Sequence, residues 1–227
     1  MYHRVVDGPG PLLVANAPLR WTETLAALAA AASPLLAADG GADHLARIGL
    51  RPDILIGDMD SVSPATRAWV GEDRIVRRPD QDRTDLEKAL IHAFDALDLE
   101  RLTVLAALGG RPDHEIGNLG LLCRYALGER LVFREPAGIV LALAEPAKLP
   151  AVPGETWSFW TLDPAVRVTL SGVRWPVRSA PLHAAGRPSI SNEATADRVG
   201  VAPEGGAVVV ARRFPAGSDP APGRGRH

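Results

Sequence analysis

Cysteine and lysine are almost missing from this 227-residue chain. Cys123 stands alone, so no intrachain disulfide can form and a reducing compartment is expected. It falls among Leu121, Leu122 and Tyr125 in a helical pattern, the setting of a small core residue and not of a nucleophile. Of 25 basic side chains only Lys88 and Lys148 are lysines. Any phosphate chemistry here must therefore lean on arginine or on metal. Charge of one sign is lacking too: the formal net charge is −2, too small to recruit nucleic acid or anionic lipid. The most apolar stretch, residues 24–41, is interrupted by Pro34 and is too short to span a bilayer. It also lacks the basic flank and N-terminal position of a signal peptide. The expectation is a soluble cytoplasmic protein that engages neither nucleic acid nor membrane.

Two phosphate-binding signatures are absent. No GxxxxGK[ST] occurs, which excludes a P-loop kinase, and no GxGxxG follows the first apolar run, which argues against a dinucleotide dehydrogenase. Scattered histidines and one cysteine give no zinc-ligand spacing. His44, His92 and His114 fall on helical patterns as ordinary partners.

What is present reads as two textures. Residues 11–134 alternate apolar runs with helical patterns. The runs are LLVA (12–15), LLAA (35–38), ILIG (54–57), RIVR (74–77), LTVLAAL (102–108) and LVF (131–133). Continuous apolar strands separated by helices indicate a parallel sheet covered on both faces, a Rossmann-like three-layer α/β domain. Ser63-Pro64 offers an N-cap with proline at the first helical position, and Thr84–Glu87 reads as a capping box. After about residue 135, Pro and Gly punctuate short stretches such as VRVTL (166–170), whose alternation suits a half-buried strand. Several of these predict a small antiparallel β-sandwich. The expected division is residues 1–135, residues 136–214, and a disordered Pro/Gly-rich tail at 215–227.

Open parallel sheets bind ligands at the carboxyl ends of their strands. Along that edge the sequence places Asn16, then Asp39-Gly40-Gly41, then Asp58 and Asp60. Next come Asp80, Gln81, Asp82, Thr84 and Asp85, and finally Arg111 and Asp113 in a Gly-rich turn. Carboxylates this close repel unless a cation joins them. Mg²⁺ takes one or two carboxylates and completes its shell with water and phosphate oxygens. Asp85 begins a helix, and Arg111 can fork onto a phosphate. The competing reading makes each an ordinary solvated turn or helix-start residue, and it must explain five strand ends separately.

The blocks ADGGADHL, PDILIGDMDSV, DQDRTDLEKAL, LGGRPDHEIGNLGLL and SISNEAT resemble, in order and approximate spacing, those of the thiamine pyrophosphokinase family. The resemblance runs from about residue 35 to residue 213. It implies an α/β domain followed by a β-sandwich, in a homodimer with active sites between subunits. It also implies transfer of a pyrophosphoryl group from ATP to thiamine, with AMP released. By that resemblance Asp58, Asp60 and Asp85 hold magnesium and, with Arg111, carry catalysis. Asp39, Gly40, Gln81, Asp82, Thr84, Arg111 and Asp113 line the ATP site. Ser189, Ser191 and Asn192 meet thiamine, and Trp175 either stacks on it or is a core residue. The segment VANAP (14–18) lacks the glycines many bacterial members carry after the first strand, and Arg187-Pro188 stands where a glycine is more usual. Alternatives are a hydroxymethylpterin pyrophosphokinase, a metal-dependent nucleotide hydrolase, and a non-catalytic nucleotide- or thiamine-binding regulator.

Overall fold

The computed structural model describes residues 10–126 and 130–214; the Pro/Gly-rich tail lies outside them. The described residues form two compact units, one running to Asn118 and the other starting at Leu119. The division falls inside a helix, earlier in the chain than the change of texture near residue 135.

In the first unit, β1 (Leu12–Val14), β2 (Leu35–Ala38), β3 (Ile54–Gly57), β4 (Ile75–Arg77) and β5 (Leu102–Leu105) pair in parallel. Their order is β5-β1-β2-β3-β4. The helices between them are α1 (Glu23–Ala30), α2 (Gly41–Ala46), α3 (Pro64–Val70) and α4 (Asp85–Ile91). After β5 comes α5 (Pro112–Arg124), which runs on into the second unit. β1 and β2 are buried at every position, because helices cover both faces; hence their unbroken apolar runs. Leu12, Val14, Leu25, Leu35, Leu45 and Leu55 share one core. The helix starts follow the capping signals. The Ser63 hydroxyl accepts the Thr66 N–H, and the Thr84 hydroxyl accepts the Glu87 N–H. α4 loosens after Ile91 into a wider π-helical turn over His92–Ala96.

The second unit is antiparallel. β6 (Leu131–Glu135) turns through two residues into β7 (Gly138–Leu143), a connection short enough to allow only a hairpin. β14 (Val208–Arg213) pairs with β7 and with β9 (Thr156–Thr161), and β12 (Ser189–Glu193) pairs with β9. A separate four-stranded sheet runs β11 (Val177–Ala180), β10 (Arg167–Ser171), β13 (Arg198–Glu204), β8 (Ala147–Pro150). β9 and β13 alternate buried and partly exposed residues, as sandwich strands must when only one face meets the core.

Candidate active site

The chain order of the parallel strands reverses between β1 and β5. A crevice opens outside the carboxyl ends of strands at such a point. A cavity of about 530 Å³ lies there, walled by Asn16 and Ala17 after β1, Ala106, Ala107 and Gly109 to Arg111 after β5, Thr84 and Asp85 at the start of α4, and His114 and Asn118 of α5. Three strand ends turn sharply at this edge. Asp39, Met59 and Ala106 adopt positive φ of 41°, 74° and 56°, a conformation costly for side-chain-bearing residues and concentrated at functional sites. Glycine is required beside them. A Cβ on Gly40 would stand 2.5 Å from the Asn16 side chain, and one on Gly41 only 2.1 Å from the Val14 carbonyl oxygen. His44 holds the VANAP segment from below. Its Nε2 lies 3.0 Å from the Ala17 carbonyl, and its Nδ1 faces an Arg47 guanidinium. A carbonyl only accepts and a guanidinium only donates, so the ring is the neutral Nε2–H tautomer. Burial lowers its pKa to match.

Four carboxylates converge at the ends of β2 and β3 and the start of α4. Asp39, Asp58, Asp60 and Asp85 each offer an oxygen within 4.8 Å of the others. Asp39 is fully buried and accepts the N–H groups of Met59 (3.1 Å) and Val62 (2.7 Å). Burial pushes its carboxyl up to about 6, opposed by its backbone donors and aided by Asp85 and Asp58. Asp58 is held down to about 2 by the hydrogen bond from Lys88. The Lys88 ammonium donates to Asp58 Oδ2 at 2.8 Å and to Asp85 Oδ1 at 3.0 Å. Burial works against that charge, yet the two carboxylates outweigh it and raise its pKa. Asp60 accepts the Ser61 hydroxyl and is exposed. Four carboxylates against one ammonium leave surplus negative charge on a set of hard oxygen donors, which suits a hard divalent cation.

The other expected residues of this edge are placed as follows. Gln81 reaches Asp58 Oδ2 only at 3.4 Å, the long limit of a hydrogen bond. Asp82 is exposed; its N–H binds Asp80, which also pairs with Arg83. Thr84 caps α4 and, with Asp85, faces the cavity. Arg111 lines the cavity mouth and pairs with Asp113 through two contacts, Nε at 3.2 Å and Nη2 at 2.6 Å. Sequence reasoning missed Lys88, His114 and Asn118. A lysine in a chain that otherwise uses arginine, one helical turn after Asp85, was the available signal for the first. The other two lie inside the LGGRPDHEIGNLGLL block.

The second unit holds the remaining residues. Asn192 is buried and uses both ends of its amide. Its Oδ1 accepts the N–H groups of Trp175 and Glu193, and its Nδ2 donates to the Trp175 carbonyl and the Ser189 hydroxyl. Ser191 is exposed, at φ 55°, with its N–H on Ser158 Oγ at 3.0 Å. Trp175 is 55% exposed, so it is a surface ring held by its backbone and not a core residue. The Arg174 guanidinium lies 5.1 Å above that ring.

Comparison with known proteins adds the following. The family model "Thiamin pyrophosphokinase, catalytic domain" matches residues 25–133, and "Thiamin pyrophosphokinase, vitamin B1 binding domain" matches residues 147–206. The chain is 30% identical over 186 residues to thiamine pyrophosphokinase 2 of Arabidopsis thaliana, covering 69% of each. It is 28% identical over 195 residues to thiamine pyrophosphokinase 1 of the same plant, covering 73% of each. Among solved structures, thiamin pyrophosphokinase from Candida albicans superimposes with a TM-score of 0.76 at 16% identity, over 92% of this chain and 94% of that one.

Proposed function

The chain belongs to the thiamine pyrophosphokinase family, and from that premise we propose that it transfers the pyrophosphoryl group of ATP to the hydroxyl of thiamine with the aid of Mg²⁺. The observation that carries this reading is the position of Asp85. It is at once a wall of the nucleotide-sized cavity and a member of the four-carboxylate cluster. Asp58, Asp60 and Asp85, with Asp39 beside them, would hold the cation at the edge of the cavity that Asp85 lines, where it would supply charge to a bound polyphosphate.

The thiamine oxygen attacks the β-phosphorus. The bond from that phosphorus to the oxygen bridging it to the α-phosphorus breaks, AMP leaves with the bridging oxygen, and the hydroxyl proton is released. Such transfers are catalysed by positioning and charge stabilisation. When bound, the cation offsets charge on the phosphate oxygens. Arg111 is held at the cavity mouth by Asp113, which takes its Nε and Nη2; exchanging that carboxylate for a phosphate would bring the same fork onto the nucleotide. Gly40 leaves room for the Asn16 side chain at the cavity wall, and Thr84 fixes the helix start that presents Asp85. Gln81 and Asp82 cover the phosphates from the exposed loop before it.

Thiamine is received by the second unit. Trp175 offers an aromatic face that already accepts a guanidinium, so a thiazolium cation can take that place. Ser189 and Ser191 add hydroxyls on β12, and Asn192 fixes the backbone that carries the ring. The enzyme is a homodimer in which the acceptor half of one subunit serves the metal half of its partner. It works in the cytoplasm, where the Cys123 thiol, pushed up to about 11 by burial, stays protonated and inert. No helix among the described residues is long and apolar enough to cross a membrane. Incubation with ATP, Mg²⁺ and thiamine, followed by mass analysis, tests the reaction. AMP and thiamine diphosphate are expected. ADP with thiamine monophosphate would overturn pyrophosphoryl transfer.

A further inference from the structure

The mechanism above leaves Lys88 without a task, yet it has the most intimate contact with the cluster. Its side chain is only 4% exposed. Its ammonium binds an oxygen of Asp58 and an oxygen of Asp85, two of the carboxylates assigned to the metal. The protein has thus placed a cation of its own on the groups that a divalent cation needs. We propose that Lys88 is the resident counter-ion of the metal-free site and competes with the incoming divalent cation for Asp58 and Asp85. This rests on the reading of the acidic cluster as a cation site.

The choice of side chain supports it. An ammonium is a compact charge on a flexible four-carbon stem, whereas a guanidinium grips carboxylates through a rigid fork. The chain uses arginine at nearly every other basic position, and here it uses the cation that yields more readily. Without Lys88, four carboxylates whose oxygens lie within 4.8 Å would face one another uncompensated. With it, the metal-free site is stable, and its affinity for a free divalent cation is held down. The cation is then taken up together with its polyphosphate and is not sequestered beforehand.

The test uses the full-length, metal-stripped protein as wild type, Lys88→Met, Lys88→Arg and Asp60→Asn. MnCl₂ alone is titrated calorimetrically, and melting is followed in EDTA and at saturating MnCl₂. Removing a unit charge about 3 Å from the metal ligands should tighten Mn²⁺ binding in Lys88→Met by about tenfold or more. That variant should melt below wild type in EDTA and regain most of the loss with Mn²⁺. Lys88→Arg should bind Mn²⁺ no more tightly than wild type. Unchanged or weaker Mn²⁺ binding by Lys88→Met, or an equal melting loss with and without Mn²⁺, overturns the counter-ion role. A Lys88→Met chain that folds only with MnCl₂ present supports it; if it folds in neither condition, Lys88→Gln is judged by the same two measurements. The cation site fails separately. Wild type that binds no Mn²⁺, or Asp60→Asn that binds it as wild type does, removes the site and the competition together. Loss of binding in Asp60→Asn keeps the site and leaves Lys88 to be judged alone.

Discussion

Asp39 in the first unit and Asn192 in the second are both buried polar residues at the centre of a proposed binding region, and their surroundings treat them in opposite ways. Asn192 has a partner for each end of its amide, and every group it touches is neutral. Asp39 also has its backbone donors, but it lies among three further carboxylates that a single ammonium cannot balance. The acceptor region is complete as folded. The sheet edge is left with negative charge that its one ammonium does not balance. A ligand held by an aromatic face needs a rigid frame, whereas a polyphosphate-bound metal needs charge held in readiness.

The comparison breaks first at Asp60, whose carboxylate accepts the Ser61 hydroxyl and lies beside three other carboxylates. Asp60→Asn should lower turnover by about 10²-fold or more, as loss of a metal ligand removes charge stabilisation worth several kcal/mol. Its melting temperature in EDTA should hold or rise, because repulsion is relieved. Steady-state kinetics and a thermal melt check both halves. Near-normal turnover would make Asp60 a solvated turn residue. Asp58→Asn should differ by destabilising the metal-free protein, since it removes a partner of the buried Lys88 ammonium.

The acceptor region should respond in stability. Asn192→Ala leaves the Trp175 N–H and carbonyl and the Glu193 N–H without their partner, at a cost of about 2–3 kcal/mol. Urea unfolding should show an earlier midpoint. An unchanged midpoint would mean the clamp is dispensable.

How far the sequence reveals this contrast depends on the range of the interactions involved. β2 and β3 are read to the residue, since burial on both faces leaves an unbroken apolar run. The starts of α3 and α4 are equally plain, because Ser63 and Thr84 act within one turn. The run LTVLAAL extends to Leu108, but β5 stops at Leu105, where Ala106 turns to positive φ. Apolarity carries no sign of that turn. Asp58 and Asp60 are visible as a pair two residues apart, whereas the Lys88–Asp58 contact joins positions thirty apart. No local pattern encodes it. Trp175 is ambiguous for the same reason, as the turn that carries it is tied to Asn192, seventeen positions on.

The homodimer reading sharpens the comparison by separating its halves. Asp60→Asn and Trp175→Ala should each be inactive alone. Mixed under conditions where tagged and untagged chains are shown to exchange, they should recover up to about a quarter of wild-type activity per subunit. Random pairing makes about half the dimers mixed, and each of those has one intact site of two. Exchange without recovery would place both halves in one chain.

The smallest effect concerns a carboxylate of the same edge that is fully satisfied. Burial opposes ionisation of Asp43, but the hydroxyls of Thr66 and Ser63 and the Ser63 N–H outweigh it and lower its pKa. A group depressed on folding adds stability above its unfolded pKa, about 3.9, and loses it as pH falls through the folded value. Asp43→Asn should therefore cost up to about 1 kcal/mol at neutral pH and narrow its gap to wild type below about pH 4. Melting temperatures from pH 3 to pH 7 give the measurement; a gap that widens on acidification would contradict it.

The loop that carries Asp58 and Asp60 is stitched at three points. Met59 and Val62 are tied to Asp39, and Ser63 is tied to Asp43 by its N–H and its hydroxyl. Such a loop has nothing left to close when an ion arrives. On the proposed reading, what remains is the release of Asp58 and Asp85 by Lys88 and the reluctance of Mg²⁺ to shed water, and a faster-exchanging ion such as Mn²⁺ should load sooner on the same tied loop.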